Sequence, residues 1–273
     1  MRKYLLYPLC LLLFACADKK EANKEASGEA QLYLTTLDKG SLLEKQALQV
    51  TEAEDSATAT IVVDTSKTFQ EMDGFGFTLN GGSAMLIETK LNDAKKEDLL
   101  QELFSRKEDA IGIDFLRVSI GASDLDELVF SYADTKGGAT DPNLSGFNLA
   151  YDTLYLVPLL QKILEINPDL KIMGSPWSPP TWMKTNNSPI GGKLKPEFYG
   201  SYANYMVKYI QAMEERDIPI YAITIQNEPE HPGNNPSMLM EAEEQAEFIK
   251  THLGPVFQKA GIKTRIIIYD HNC

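Results

Sequence analysis

An apolar, β-branched run that leads into a carboxylate constrains the fold of this chain more than any other feature. Residues Ile220–Ile225 are followed directly by Gln226-Asn227-Glu228-Pro229. Short runs of this kind are typical of buried parallel strands, because helices cover both faces of a parallel sheet. In α/β barrels the chemically active side chains follow the C-terminal ends of such strands. The run therefore predicts a parallel strand that carries Glu228 at its functional end.

The same pattern recurs from Gly74 onward. Strand-like runs alternate with segments whose apolar residues are spaced three and four apart, and this alternation predicts parallel βα units. The predicted strands are Gly74–Leu79, Ile113–Ile120, Leu170–Ser175, Tyr221–Ile225 and Arg265–Tyr269. The predicted helices include Leu99–Phe104, which Asn92 is placed to cap, Leu156–Leu164, Phe198–Glu214 and Met238–Ala260.

These five strands fall short of a closed barrel. A (β/α)8 TIM barrel needs eight strands and about 250 residues, whereas the segment 74–273 has 200 positions. We therefore expect an α/β fold in which 74–273 forms the first part of a catalytic barrel, truncated after about the fifth strand. In such a sheet the first and fifth strands have bare edges. The preceding segment, 31–73, is predicted to add short strands to a side sheet, at Gln31–Thr36 and Thr60–Asp64, with the polar segment Glu44–Ala59 between them.

The N-terminus resembles an export signal. Residues 1–15 contain a basic start, an apolar block from Tyr4 to Phe14, and a Leu-Phe-Ala-Cys sequence that ends at Cys16. The block is shorter than the roughly 20 residues that span a bilayer. We predict a lipoprotein signal peptide with Cys16 as the lipidated first residue. An ordinary secretory signal that happens to contain a cysteine is the alternative.

The expected location follows from this signal. Residues 16–30 are rich in Lys, Glu, Ala, Ser and Gly and have no apolar face, so they are predicted to form a flexible tether. We expect an exported bacterial lipoprotein that is lipid-anchored on the periplasmic or cell-surface side of the outer membrane. Cys10 lies in the signal, which leaves Cys273 as the one candidate thiol of the folded part, and no intrachain disulfide is expected.

Charge and histidine content exclude some classes of partner. The formal net charge of -13 argues against nucleic acid, whose binding needs a basic face. The three histidines, His231, His252 and His271, are widely spaced and form no zinc-ligand pattern. We expect no metal and no other cofactor.

Glu228 is the first candidate for chemistry. Glycoside hydrolysis commonly uses two carboxylates, one of which protonates the departing oxygen. Glu228 suits that role, Asn227 offers an amide to a sugar 2-hydroxyl, and Pro229 fixes the backbone. A solvated turn between strand and helix is the alternative for this tripeptide alone.

Both tryptophans of the chain lie in the proline-rich segment after the third predicted strand. Aromatic faces stack on sugar C–H groups, and prolines stiffen such a platform. For Trp177 we favour ligand contact, and for Trp182 we favour the alternative, a ring that plugs the core beneath the loop.

Arg117 lies inside an otherwise apolar strand and needs a partner, for which barrel carboxylates are the expected candidates. Asp124, just past the same strand, is placed to accept hydrogen bonds from sugar hydroxyls, unless it only caps the following turn.

These segments resemble glycoside hydrolase family 30, which contains glucosylceramidases, β-1,6-glucanases and related xylanases. The resemblance runs from about Gln31 to Asn272 and rests on five motifs in one order. They are Gln70–Phe77, Leu116–Val118 with Asp124, Gly174–Trp182, Gln226–Pro229 and Tyr269–Asn272.

The resemblance implies a (β/α)8 barrel with an attached β-sandwich and hydrolysis with net retention. Glu228 matches the family's acid/base, Asn227 its neighbour that binds the 2-hydroxyl, and Asp124 and Trp177 match substrate contacts. Asp270, His271 and Asn272 match the end of the fifth strand, which borders the same pocket. The binding residues are thus predicted to be Asp124, Trp177, Asn227, His271 and Asn272, with Arg117, Trp182 and Asp270 as pocket support.

Two departures from the family pattern matter. The family's nucleophile is a glutamate after the seventh strand, and no residue here is assigned to it. The last motif usually continues with tryptophan, where this chain has Cys273. We expect a fragment of a retaining β-glycosidase that acts on a β-glucoside or glucan, in carbohydrate or sphingolipid metabolism. The alternatives are a catalytically inactive glycan-binding lipoprotein and a fragment without function.

Overall fold

The computed structural model describes residues 31–48, 61–107, 110–149 and 151–272. The chain divides between Phe69 and Gln70 into two compact units. In the first unit, β1 (Leu32–Leu34) and β2 (Glu44–Gln46) pair antiparallel. Within these four ranges no helix has the length and apolar character needed to cross a membrane.

The second unit contains a parallel sheet whose strands lie in chain order. They are β3 (Gly76–Thr78), β4 (Phe115–Ile120), β5 (Lys171–Pro176), β6 (Ala222–Thr224) and β7 (Arg265–Ile267). Each strand pairs parallel with the next, so β3 and β7 are the edges. The predicted five-stranded first part of a (β/α) barrel is confirmed. Because the strands are parallel, their C-terminal ends meet at one rim of the sheet.

Helices connect the strands. They are α1 (Gly81–Lys90), α2 (Asp93–Phe104), α3 (Leu156–Ile166), α4 (Tyr199–Glu214), α5 (Ala242–Phe248) and α6 (Gly254–Ala260). The cap predicted at Asn92 is present, because its side chain accepts a hydrogen bond from the Lys95 amide at 2.9 Å. The apolar stripe of α3 is buried, as its spacing requires. Helix α1 was not predicted. Its buried residues are the small Gly82 and Ala84, which leave no apolar spacing in the sequence to indicate a helix.

Two predictions were wrong. No strand forms at Ile61–Asp64, the described part of the predicted strand Thr60–Asp64, and Ile61 is 91% exposed. A strand persists only when a neighbour takes its hydrogen bonds, and the partner of β1 is instead the polar stretch Glu44–Gln46. The predicted helix Met238–Ala260 starts at Ala242, where Glu241 and Glu244 form a capping box.

The long predicted helix is also interrupted. A π-helical turn, Ile249–Leu253, separates α5 from α6. Pro255 follows directly in the first turn of α6, and a proline cannot supply the N–H that a continuous α-helix requires at that point.

A carboxyl group is buried beside the tyrosines of α4. Tyr132 stacks on Tyr205 and Tyr209, with ring centroids 5.8 and 5.9 Å apart, and its hydroxyl donates to Asp152 Oδ2. The Asp152 side chain is 3% exposed. Burial raises the pKa of Asp152 to about 7, the hydrogen bond from Tyr132 opposes the rise, and the charge of Asp126 adds to it.

This burial predicts a pH-dependent stability. The ordinary pKa of the group is 3.8, so its contribution is fully present below about pH 4 and is lost as the pH rises through about 7. A pKa that rises from 3.8 to about 7 on folding corresponds to about 4 kcal/mol of stability. Asp152→Asn keeps an acceptor for Tyr132 but does not titrate. Urea unfolding from pH 4 to 8 should therefore show the wild type losing about this much stability relative to the variant.

Asp169→Asn is the matched control, because Asp169 is an exposed aspartate in the same unit. Its stability should follow the wild type across the pH range. Parallel curves for the wild type and Asp152→Asn would contradict the assignment.

Candidate active site

Polar side chains converge where the strands of the sheet end. Arg117 is an inner residue of β4, Ser175 lies near the end of β5, and Thr224 ends β6. Asn227 follows β6 and Asp270 follows β7. The parallel register brings these groups together from four strands, at the rim where α/β barrels place their active sites.

An ion pair joins two of these groups. Arg117 Nη2 lies 2.7 Å from Asp270 Oδ2, and the two side chains are 17% and 19% exposed. The hydroxyls of Ser175 and Thr224 also donate to Oδ2, at 2.6 and 2.9 Å. The carboxylate partner expected for Arg117 is therefore present. A half-buried pair is favourable only when its remaining donors and acceptors are satisfied. The two hydroxyls add donors to Oδ2 of the acid, whereas the buried Nε of Arg117 has no hydrogen-bond partner among the described residues.

Arg117 also orients Asn227. The same Nη2 atom donates to Asn227 Oδ1 at 2.7 Å, and Asn227 is 9% exposed. With its oxygen engaged by the guanidinium, the Asn227 side chain presents its Nδ2 donors to whatever occupies the site.

Trp177 lies beneath the arginine. The Arg117 Cζ atom is 4.7 Å from the ring centroid, and the indole Nε1 donates to Asp124 Oδ1 at 3.1 Å. The ring is 5% exposed, whereas Asp124 is exposed. The cation covers one face of the ring, and little of the side chain stays accessible to a ligand. The stacking platform expected from the sequence is therefore more enclosed than a flat exposed surface.

Asp126, and not Asp124, holds the turn after β4. Its Oδ2 accepts from the Ser123 amide at 2.7 Å and from the Ser123 hydroxyl at 2.6 Å. The turn-capping alternative considered for Asp124 therefore applies to its neighbour. Asp124 has a carboxylate oxygen, Oδ2, that accepts no hydrogen bond from the described residues.

Glu228 has an unusual backbone conformation. Its φ is +43°, a left-handed value that is uncommon for residues other than glycine. The strained turn is held from both sides, because the Glu228 amide donates to Asp270 O and the Asn227 amide donates to Pro176 O, each at 2.8 Å. The half-buried carboxylate accepts a hydrogen bond at Oε2 from Asn234 Nδ2, at 2.7 Å.

The other predicted site residues behave differently. Trp182 is 4% exposed, donates to Ala133 O at 2.9 Å and packs edge-on against Phe198, which agrees with the core alternative. His271 packs edge-on against Tyr269 and Asn272 is exposed. Among the described residues, no hydrogen bond or ring contact joins His271 or Asn272 to the groups around Glu228.

Several residues at the site were not singled out from the sequence. Ser175 and Thr224 are hydroxyl residues at the ends of apolar strands, and that position is a usable signal. Lys184 is fully buried, and its Nζ donates to Ser178 Oγ, Pro189 O and Ser237 O at 2.9, 2.9 and 2.6 Å. Burial lowers the pKa of Lys184 to about 7. No local pattern identifies either Lys184 or Asn234. The described ranges contain no group of three His, Cys, Asp or Glu side chains arranged to bind a metal ion.

Comparisons with known proteins identify the family of the fold. Residues 72–273 match the model described as the glycosyl hydrolase family 30 TIM-barrel domain. An endo-1,6-β-D-glucanase from Trichoderma harzianum is 35% identical over 77% of this chain and 45% of its own length. The lysosomal acid glucosylceramidase of Mus musculus is 30% identical over 77% of this chain and 42% of its own length.

A solved structure shows the same fold. The endo-β1,6-glucanase BT3312 superposes with a TM-score of 0.80 at 37% identity, covering 89% of this chain and 53% of that protein. The chain spans about half the length of the curated relatives it matches.

The half-buried ion pair generates a stability prediction. Arg117→Met leaves Asp270 charged and without its cation, which should cost at most about 3–5 kcal/mol, the range for a fully buried pair. Urea unfolding of the chain at pH 7 measures the loss. The double variant Arg117→Met with Asp270→Asn removes both charges and should recover part of it.

Arg265→Met is the matched control. Arg265 pairs with Asp73 at 3.2 Å, but the side chains are 60% and 52% exposed, so solvent screens the pair and its loss should cost much less than the loss of Arg117. Equal losses for Arg117→Met and Arg265→Met would refute the importance of the buried pair.

Proposed function

The chain belongs to glycosyl hydrolase family 30, and from this premise we propose that the protein is a retaining β-glycosidase with Glu228 as its acid/base. One observation carries the proposal. Glu228 lies in a strained turn that follows β6, with one carboxylate oxygen held by Asn234 and the other, Oε1, free of hydrogen bonds from the described residues. An acid that must reach a substrate oxygen needs such a free oxygen.

The neighbouring groups suit a bound sugar. Asn227 presents its Nδ2 to a ring hydroxyl because its oxygen is taken by Arg117. Asp124 has Oδ2 available as an acceptor for a second hydroxyl, since Trp177 occupies Oδ1. The small exposed part of Trp177 would contact the apolar C–H groups of the sugar. Together these groups would orient a glycoside with its bridging oxygen toward Glu228.

The reaction would proceed in two steps. A nucleophilic carboxylate bonds to the anomeric carbon while the glycosidic C–O bond breaks and the departing oxygen takes the proton from Glu228. The Glu228 carboxylate then removes a proton from water, whose oxygen displaces the nucleophile and restores the acid. No residue of this chain is assigned as the nucleophile, which the family resemblance places after the seventh barrel strand.

The proposed substrate class is β-linked glucose. The two curated relatives described above are named for a 1,6-β-glucan and a glucosyl lipid, and both substrates share a glucosyl unit in β linkage. Asp124, Trp177 and Asn227 would contact that shared unit. The choice between a glucan in carbohydrate metabolism and a glucosylceramide in sphingolipid metabolism depends on the leaving group, so an assay should include both.

Glu228→Gln tests the acid/base assignment in the protein as its host makes it. For gentiobiose, whose leaving group needs protonation, kcat/KM should fall roughly 10²–10⁴-fold. For 2,4-dinitrophenyl β-glucoside, whose leaving group departs unprotonated, kcat/KM should change little. Azide, a nucleophile that needs no general base, should accelerate turnover of the aryl substrate by the variant.

Glu230→Gln is the control, because Glu230 is an exposed glutamate two residues further on. It should retain wild-type kinetics on both substrates. Unchanged gentiobiose turnover in Glu228→Gln would sink the assignment. Calorimetric binding of gluco-oligosaccharides without hydrolysis by the wild type would support the inactive glycan-binding protein instead.

We further propose that the protein is exported and lipid-anchored through Cys16. The support is the sequence of residues 1–16, which lies outside the described residues. Metabolic labelling with radioactive palmitate in the host should tag the wild type and Cys10→Ser but not Cys16→Ser. Labelling that survives Cys16→Ser would contradict the anchor.

A further inference from the structure

We propose that Asn234 is a positioning residue for the acid/base. Its amide holds Oε2 of Glu228, so that Oε1 is the oxygen that delivers the proton to the glycosidic oxygen. This inference rests on the function proposed above and adds to it the residue that fixes the orientation of the acid.

The contact itself is direct. Asn234 Nδ2 lies 2.7 Å from Glu228 Oε2, and it is the one described side chain that donates to this carboxylate. A terminal carboxylate rotates broadly about its last torsion. One hydrogen bond to one oxygen restricts that rotation and distinguishes two otherwise equivalent atoms. Oε1 remains for the substrate.

The loop that carries Asn234 is closed at its base. The Met240 amide donates to Pro229 O and the His231 amide donates to Glu228 O, both at 2.9 Å. The segment 229–240 therefore begins and ends beside the acid/base, and Asn234 returns to Glu228 from within it.

A second loop, 177–195, braces the first. The Ser237 amide donates to Pro189 O and the Leu239 amide donates to Gly192 O, both at 2.9 Å. The Gly191 amide donates to Ser237 Oγ, also at 2.9 Å. Gly191 and Gly192 have φ values of +60° and +71°, which side-chain-bearing residues rarely adopt, and they let the two loops run side by side.

Lys184 ties the two loops together from inside. Pro189 O and Ser237 O belong to different loops, and both accept from its buried Nζ. Ser178 donates its own proton to Pro179 O, so toward Lys184 its hydroxyl oxygen acts as an acceptor. The three acceptors match the three N–H donors of the ammonium form, which the burial that lowers the pKa of Lys184 disfavours. The platform under Asn234 is thus a cross-linked pair of loops, and a residue on it can hold a fixed position.

The neutral amide of Asn234 also suits the catalytic cycle proposed for Glu228. Glu228 must alternate between acid and carboxylate, and a lysine or arginine at this position would favour only the carboxylate. A neutral amide positions the group without adding charge. Its Nδ2 can donate to Oε2 of the carboxylate and also to Oε2 of the protonated acid, whose proton then lies on Oε1.

The test compares leaving groups in the protein as its host makes it. Asn234→Ala should lower kcat/KM for gentiobiose about tenfold or more, the loss expected for one hydrogen bond to a charged group. For 2,4-dinitrophenyl β-glucoside, which needs no proton, kcat/KM should stay within about twofold of the wild type. A loop that merely collapsed would impair both substrates alike.

Asn235→Ala is the matched control, since Asn235 is the exposed neighbour in the same loop. It should match the wild type on both substrates. Asn234→Leu keeps the side-chain volume but removes the hydrogen-bond donors. It replaces the alanine variant in the test if that variant is unstable, and circular dichroism verifies that each variant is folded. Asn234→Leu should show the same selective loss.

The outcomes separate the two proposals. Wild-type protein that hydrolyses neither substrate overturns the proposed function, and this inference with it. Active wild type with Asn234→Ala equal to Asn235→Ala, or with equal losses on both substrates, overturns only the role of Asn234. A loss confined to gentiobiose supports both.

Discussion

The half-buried ion pair between Arg117 and Asp270 organises the carboxyl rim of the sheet. A guanidinium inside an apolar strand is unfavourable until its charge and its donors are satisfied. The side chains of Ser175, Asn227 and Asp270, from three other strand ends, supply a counter-charge and three acceptors for its Nη2 atom, although its buried Nε has no hydrogen-bond partner among the described residues. The same contacts determine how Asn227 is turned and which face of Trp177 is covered. One electrostatic requirement therefore sets the geometry around Glu228, and the backbone bond from the Glu228 amide to Asp270 O extends that control to the acid itself.

The sequence predicted the parts of the fold that periodicity encodes. Five apolar runs became five parallel strands in chain order, and the stripes of α3 and α4 became buried helix faces. The placement of Glu228, Asn227 and Asp124 after strand ends followed from the same logic. The need of Arg117 for a carboxylate was also foreseeable, because burial of an unpaired cation is prohibitive. All of these features depend on the type of a residue and on its nearest neighbours in the sequence, so the sequence alone reveals them.

Features that depend on distant partners were not predictable. The run Ile61–Asp64 has strand propensity, yet no described strand pairs with it. The polar segment Glu44–Gln46, in contrast, forms a strand because it pairs with β1. Asn234 and Lys184 look like ordinary loop residues, and their roles exist only because two loops fold against each other. The left-handed turn at Glu228 is likewise maintained by hydrogen bonds from segments far along the chain. The sequence motif was enough to locate the site, whereas the orientation of the Glu228 carboxylate could be seen only in the tertiary structure.

The different surroundings of the two tryptophans give the protein an internal spectroscopic reporter. The chain contains two tryptophans in total. Trp182 is enclosed by the core and bonded to a backbone carbonyl, so its emission forms a constant background. Trp177 lies between the guanidinium of Arg117 and the carboxylate of Asp124, and any ligand that disturbs these two charges alters the electric field across its indole ring. A ligand that displaces either charge is therefore expected to change the emission of Trp177, which would report occupancy of the site without a label and without turnover.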